Sequence, residues 1–131
     1  MATDLKYSWA TQQQIIGAAD GYETCSGTTP VASSDIDLET DGYFGVQIVP
    51  EVNFDSTPTD YVDVKVYGSL DGTNYDDTPL YTRRIDKATD PNQISFSIEG
   101  YAHLKVTMTQ SGSTDSHDVR CYCQRYRGIT S

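Results

Sequence analysis

The chain has 131 residues, with 19 acidic and 9 basic side chains and a formal net charge of −10. This length suits one domain with one core, which needs neither disulfides nor a metal ion in order to fold. The acidic charge argues against a general nucleic-acid binder, because phosphate contacts require basic side chains, and it disfavours adhesion to an anionic membrane for the same reason.

The N-terminal segment differs from the rest of the chain. Residues 1–24 show little alternation of apolar and polar residues, and we expect them to form an extended arm ahead of a β-sandwich domain at 25–131. The anchors of this arm are Tyr7, Trp9, Ile15 and Ile16. So much apolar surface indicates a docked segment, since free termini are usually disordered. Docking on the arm's own domain and docking on a neighbouring subunit both remain open.

The first residues do not show the pattern of a targeting signal, and no segment reaches the roughly 20 apolar residues of a membrane helix. Residues 1–6 lack a basic region followed by an apolar run, so we expect no signal peptide and synthesis in a cytosol.

Cys121 and Cys123 are two residues apart, which on a strand places them on one face but not in disulfide geometry. We therefore interpret them and Cys25 as free thiols.

Regular alternation begins after the loop at residues 26–30. After the Asp41-Gly42 turn, Phe44, Val46 and Ile48 are expected to point to one side of a strand. Pro50 follows and cannot donate a ladder hydrogen bond, which predicts an edge strand or a bulge at this position.

The clearest strand carries Val62, Val64, Val66 and Leu70 on one face and ends at the hairpin-turn signal Asp71-Gly72. Further alternating runs lie at residues 36–38, 80–85, 94–98, 104–108 and 119–123. Turn signals recur roughly every 8–12 residues, the pattern of an all-β sandwich or barrel. The sequence thus predicts an all-β, antiparallel β-sandwich, jelly-roll or immunoglobulin-like, with about seven or eight strands.

Few residues could support catalysis. A histidine, His103 or His117, could activate a cysteine nucleophile, but Cys121 and Cys123 share the predicted core face of Val119. We therefore expect no catalytic residue and no enzyme. One Cys-x-Cys with scattered histidines does not give the ligand spacing of a structural zinc site, so we expect no metal and no cofactor.

One loop is rich in oxygen ligands. Its candidate ligands are Asp71, Asn74, Tyr75, Asp76 and Asp77. Such a loop could hold calcium, but this one lacks EF-hand spacing and the closing bidentate Glu. We interpret it as a solvated hairpin tip with weak potential for a ligand.

The C-terminal strand is the basic exception in an acidic chain. Its arginines and tyrosines are Arg120, Tyr122, Arg125, Tyr126 and Arg127. Arg and Tyr are enriched at protein interfaces, which favours a protein contact. Two alternatives are a polar strand face whose arginines offset nearby acids, and stacking on single-stranded nucleic acid, which the net charge disfavours.

The run VKVYGSLDGTNY at residues 64–75 resembles a strand–turn motif, V-x-V-x-G-S-x-D-G-x-x-[WY], of small β-sandwich proteins from tailed bacteriophages. Residues 34–38, 45–48 and 104–106 look similar to the same proteins, and the resemblance covers roughly residues 34–125. The family consists of capsid decoration (cement, or head auxiliary) proteins. The resemblance implies a virion protein on the capsid exterior, made in the host cytoplasm, with the major capsid protein as partner and a homo-oligomer, often a trimer.

The leading hypothesis is therefore a structural protein that binds and stabilises a phage capsid. One alternative is a carbohydrate- or receptor-binding module that uses Tyr67, Tyr75 and Tyr122, because tyrosine gives contact area at low entropic cost. Another is a different virion component, such as a tail or head–tail connector protein.

Overall fold

The computed structural model describes residues 5–55, 58–87 and 92–130, which form eleven β-strands. Within these ranges no helix could cross a membrane. The strands are β1 (Leu5–Trp9), β2 (Gln13–Ile16), β3 (Glu23–Thr24), β4 (Val31–Ala32), β5 (Ile36–Asp37), β6 (Gly45–Asn53), β7 (Val62–Ser69), β8 (Tyr81–Ile85), β9 (Phe96–Glu99), β10 (His103–Gln110) and β11 (Asp118–Thr130).

The strands form two antiparallel sheets, as the alternating pattern predicts. The larger sheet has the order β1-β11-β6-β9, and β2 and β3 also pair with β11. The smaller sheet has the order β4-β10-β7-β8, and β5 also pairs with β10. The described chain is consequently all-β and has the two-layer arrangement of a β-sandwich.

Short strands share the outer edge of each sheet. In the larger sheet, β1, β2 and β3 pair one after another with β11: β1 pairs with its C-terminal end, at Thr130, and β3 with its first residues, at Asp118. The described part of the predicted arm thus packs on its own domain, as an edge of the larger sheet. Whether residue 24 marks a boundary between an arm and a domain stays a prediction.

The core lies between the sheets and follows the period-2 alternation of the long strands. Each long strand contributes apolar side chains to the core, among them Val46, Ile48 and Val52 from β6, Val62, Val64 and Val66 from β7, Leu104, Val106 and Met108 from β10, and Val119, Cys121 and Cys123 from β11. The predicted inward faces of these strands are confirmed. Cys25 is also buried, and all three cysteines are free thiols, as predicted.

Two residues predicted to face the core do not. Leu70 is 87% exposed because β7 ends at Ser69 and the chain leaves the sheet there. Phe44 is 44% exposed because β6 starts only at Gly45. In both cases the alternation continues one position beyond the end of the strand.

Pro50 lies in the middle of an inner strand, so the prediction of an edge or a bulge at this position is wrong. The β6–β11 register runs without a shift through the pair of Cys121 and Pro50. On the other side, the β6–β9 ladder ends at Ile48, and pairing is recovered at Glu51. Pro50 faces Ile94 in this gap: its carbonyl accepts from the Ile94 N–H at 3.3 Å, whereas the proline has no N–H to donate in return.

Candidate functional site

Three aromatic side chains are exposed together at one end of the larger sheet. Tyr7 and Trp9 project from β1, and Phe44 precedes β6; each leaves between 44% and 48% of its surface exposed. Their rings surround Tyr126 of β11, with ring centroids 4.8 to 6.0 Å from it. We call Tyr7, Trp9 and Phe44 the aromatic surface. Clustered, half-exposed rings of this kind are what protein partners bury.

The rings of the aromatic surface pack on the side chain of Tyr126. It is only 3% exposed, and its hydroxyl donates to Glu99 Oε1 at 2.8 Å. Burial, with this hydrogen bond, raises the pKa of Tyr126 to about 12. Glycine at position 45 makes room for the ring, since a Cβ there would lie 2.7 Å from the Tyr126 hydroxyl. Tyr126 therefore positions the exposed rings and is itself covered by them.

Two arginines lie over the ring of Tyr43, on the opposite face of β11 from Tyr126. The Cζ atoms of Arg125 and Arg127 are 4.6 and 4.8 Å from the centre of that ring. Arg125 Nη1 donates to the carbonyl of Asp37 at 3.1 Å. Among the residues that the structure describes, neither guanidinium forms an ion pair with a carboxylate. Arginines without an acidic partner in so acidic a chain suit a partner that supplies carboxylates.

Arg120 and Tyr122, in the first half of β11, have partners within the chain. The Arg120 guanidinium is hydrogen-bonded to the Glu51 carboxylate, which raises the pKa of Arg120. The Tyr122 hydroxyl donates to Asp20 Oδ1 at 2.8 Å, and this hydrogen bond raises the pKa of Tyr122. These two residues hold the turn that contains Asp20 against β11.

Ile15 and Ile16 also serve the chain's own packing. They are 9% and 1% exposed and belong to the core. Of the predicted contact residues, the structure thus leaves Tyr7, Trp9 and Arg127 exposed. No protein-family model and no curated protein sequence matches this chain. The chemistry of the exposed residues is accordingly the basis for a function.

A polar hollow lies on the outer face of the larger sheet, where β6 and β11 pair. Its volume is about 270 Å³, and its lining consists of Gln12, Gln47, Val49, Glu51, Gln93, Tyr122, Cys123 and Gln124. We call it the glutamine hollow. Gln124 Nε2 donates to the carbonyl of Ala10 at 2.9 Å. The side chains of Gln12, Gln47 and Gln93 make no hydrogen bond to any residue within the described ranges.

Sequence reasoning missed both Phe44 and the glutamine hollow. The sequence pattern places Phe44 in the core because its position continues the alternation of Val46 and Ile48. Gln47 and Gln124 stand on polar positions of two strands, and they become neighbours only through the β6–β11 register. Nothing in the sequence gives that register.

The acidic loop at residues 71–77 is held together by its own hydrogen bonds. Asp71 Oδ1 accepts from the backbone N–H groups of Thr73 and Asn74, both at 2.8 Å. These bonds hold the pKa of Asp71 well below its usual range. Asp76 and Asp77 are exposed. Across the described residues, no group of three or more His, Cys, Asp or Glu side chains is placed to hold a metal ion.

Tyr75 connects this loop to a buried histidine. Its hydroxyl donates to Asp35 Oδ1, and the other oxygen of Asp35 lies 2.8 Å from His103 Nδ1. The hydrogen bond to Asp35 raises the pKa of His103, whereas burial, with the same carboxylate, raises that of Tyr75. The arrangement fastens the loop to the start of β10.

The candidate nucleophiles are inaccessible. Cys121 and Cys123 are at most 1% exposed, and burial raises the pKa of both thiols, that of Cys123 to about 11. His117 is fully buried; its Nδ1 accepts from the Asp55 N–H at 3.1 Å, and its Nε2 lies 3.0 Å from the Asp60 carbonyl. Both ring nitrogens are thus engaged by the backbone, which suits a structural role.

Proposed function

We propose that this chain is a structural virion protein that binds the outer surface of a tailed-phage capsid and stabilises it. The observation that carries the proposal is the aromatic surface. Arg125 and Arg127 lie at the same end of β11, on its other face. Exposed aromatic side chains and arginines are the residue types that contribute most to protein–protein binding. A sheet end that combines both is suited to docking on a large protein surface.

The charge pattern indicates what the partner presents. The chain has a net charge of −10, so two acidic surfaces would repel each other unless a basic region mediates the contact. Arg127 is exposed and Arg125 partly exposed at the same end of β11 as the aromatic surface. We therefore expect the partner, the major capsid protein, to offer carboxylates and an apolar groove to this end of the sandwich.

The strand order supports a jelly roll as the finer description of the fold. If β1–β3 are counted as one edge strand and β4–β5 as another, eight strand positions remain. When these eight positions are numbered along the chain, the strands of the larger sheet follow one another as 1-8-3-6 and those of the smaller sheet as 2-7-4-5. This order supports a jelly roll, an architecture used by viral capsid proteins and also by lectins.

Other features agree with this role. The resemblance of residues 64–75 to decoration proteins suggests the capsid exterior as the location, after synthesis in the host cytoplasm, and a homotrimer as the oligomeric state. Buried free thiols suit a protein made in a reducing compartment. The same burial, with raised thiol pKa values, supports a role without catalysis.

Binding to purified heads of the virus that encodes the chain tests the proposal. Removing the arm up to residue 20 would also remove Ile15 and Ile16, whose burial contributes about 1.5–3 kcal/mol each, and would risk unfolding the domain. The double variant Tyr7→Ser/Trp9→Ser instead changes exposed side chains only. We expect it to bind heads at least tenfold more weakly in co-sedimentation, since interface aromatics often contribute about 2 kcal/mol or more.

Leu70→Ser is the matched control, because it removes an exposed apolar side chain from a different part of the surface. It should bind heads like the unmodified chain, and circular dichroism should show that both variants are folded. Arg127→Glu should weaken binding as well. A folded Tyr7→Ser/Trp9→Ser variant with unchanged occupancy on heads would overturn the proposal.

A further inference from the structure

We propose that the glutamine hollow is a binding site for a neutral, hydroxyl-rich ligand, a sugar ring at the end of a glycan. This goes beyond the proposed capsid binding, because the hollow and the aromatic surface use different residues. Gln12, Gln47 and Gln93 line the hollow from three separate segments of the chain. Each offers an amide that is free of hydrogen bonds to the described residues.

The lining chemistry matches hydroxyl groups. A glutamine amide offers two N–H donors and one acceptor oxygen, and a sugar hydroxyl both donates and accepts. Tyr122 adds an aromatic ring to the same wall, against which the apolar face of a sugar ring can stack. Three amides that make no hydrogen bond to the described residues can pair with the hydroxyl groups of a sugar, while the ring of Tyr122 stacks on the sugar ring.

The hollow does not favour a charged ligand. Its one ionisable carboxylate, Glu51, is already bound to Arg120, so no net charge is left to attract an anion or a cation. A charged group placed there would lose hydration without gaining a counter-charge. A neutral ligand avoids this cost.

The position of the hollow argues against an extended peptide. Peptides that add to a sheet need a free edge with unpaired backbone groups. The hollow lies over β6 and β11, and each of these strands has a neighbour on both sides: β11 and β9 for β6, and β6 and β2 for β11. Side chains alone are therefore available to the ligand.

The size of the hollow limits the ligand to about one ring. Its volume of about 270 Å³ is just below the roughly 300–1,000 Å³ of pockets that hold drug-sized molecules. A few amide hydrogen bonds and one stacked ring correspond to weak binding, with a dissociation constant on the order of 1 mM for a single sugar.

Titration of the ¹⁵N-labelled full chain tests the site. The probes are the methyl glycosides of glucose, galactose, mannose and N-acetylglucosamine, with tetraalanine as a peptide probe, and the readout is the side-chain amide signals. We expect at least one glycoside to shift the signals of Gln47 and Gln124 in a saturable manner. Gln47→Ala should then weaken that binding at least tenfold, since it deletes an amide that makes no bond within the described fold.

Gln13→Ala is the matched control, because Gln13 is exposed on β2 and does not line the hollow. It should leave glycoside binding unchanged, and the backbone signals of both variants report whether they are folded. The proposal is overturned if none of the four glycosides shifts these signals, if only tetraalanine does, or if folded Gln47→Ala binds as before. Such a result leaves the capsid proposal intact, which is tested with heads and the aromatic surface.

Discussion

At the scale of single residues, His103 gives the chain a pH-dependent interaction. Its Nδ1 lies 2.8 Å from Asp35 Oδ2 and 3.8 Å from Asp37 Oδ1. The hydrogen bond to Asp35 raises the pKa of His103 in the folded state, so folding favours the protonated imidazole. The stabilisation is fully present below the unfolded pKa of about 6.5 and is lost as pH rises through the higher, folded pKa.

We therefore expect His103→Gln to flatten the pH dependence of the free energy of unfolding between pH 5.5 and 8.5. At the acidic end the variant should be less stable by about 1.5–3 kcal/mol, the contribution of a hydrogen bond to a charged group, and the difference should shrink at the alkaline end. Urea titrations at a series of pH values measure this. Asp35→Asn should have the same effect on the slope, because it removes the anion. If the free energy of unfolding of both variants depends on pH as in the unmodified chain, a group other than His103 causes that dependence.

At the scale of elements, the turn between β2 and β3 depends on one side chain. Gly17, Ala19 and Asp20 all have positive φ angles, of 83°, 52° and 65°, which is costly for the two that are not glycine. Gln14 holds the turn: its Nε2 donates to the carbonyl of Gly21 at 2.8 Å, and its Oε1 accepts from the Asp20 N–H at 2.8 Å.

Gln14→Ala should consequently destabilise the protein by about 1–3 kcal/mol, because each lost hydrogen bond contributes about 0.5–1.5 kcal/mol and the turn then loses its support. Gln13→Ala is the control, since Gln13 is exposed and makes no hydrogen bond of its side chain to the described residues. It should change the free energy of unfolding by no more than about 0.5 kcal/mol. Equal effects of the two substitutions in denaturant titrations would contradict this account of the turn.

At the scale of the whole molecule, period-2 alternation was enough to predict the antiparallel sheets and the inward faces of the long strands. It places Val64, Val106 and Cys121 in the core because neighbouring residues on a strand point to opposite faces. It failed at Leu70 and Phe44, since alternation does not show where a strand leaves the sheet. These errors occur at strand ends, where the local pattern still continues but the pairing stops.

The candidate site was predictable only in part. Tyr7, Trp9 and Arg127 were proposed as contact residues from their types and positions, and the structure leaves them exposed. Ile16 and Tyr126 are buried by residues that are far away in the sequence, and a local sequence pattern does not show such contacts. The glutamine hollow depends on the pairing of β6 with β11, which are far apart in the sequence. Register of this kind is fixed by the packed core as a whole.

The net charge of −10 should make the stability of the whole chain depend on salt. A domain of this length has a radius of gyration of about 14 Å, whereas the Debye length is about 30 Å at 0.01 M salt and about 8 Å at 0.15 M. Repulsion among the carboxylates therefore acts across the entire molecule at low salt and is largely screened at 0.15 M. The unfolded chain spreads the same charges further apart and gains less from screening.

Raising NaCl from 0.01 to 0.15 M at pH 7 should accordingly stabilise the protein by about 1 kcal/mol, which corresponds to about 3–5 °C in Tm. Calorimetry in a buffer of low ionic strength measures the shift, and sucrose at the same osmolarity separates screening from osmotic effects. A falling Tm would mean that attractive pairs such as Glu51 with Arg120 outweigh the repulsion. Such pairs cannot include every carboxylate, because the chain has nineteen acidic and only nine basic side chains. The predicted sign follows from this imbalance.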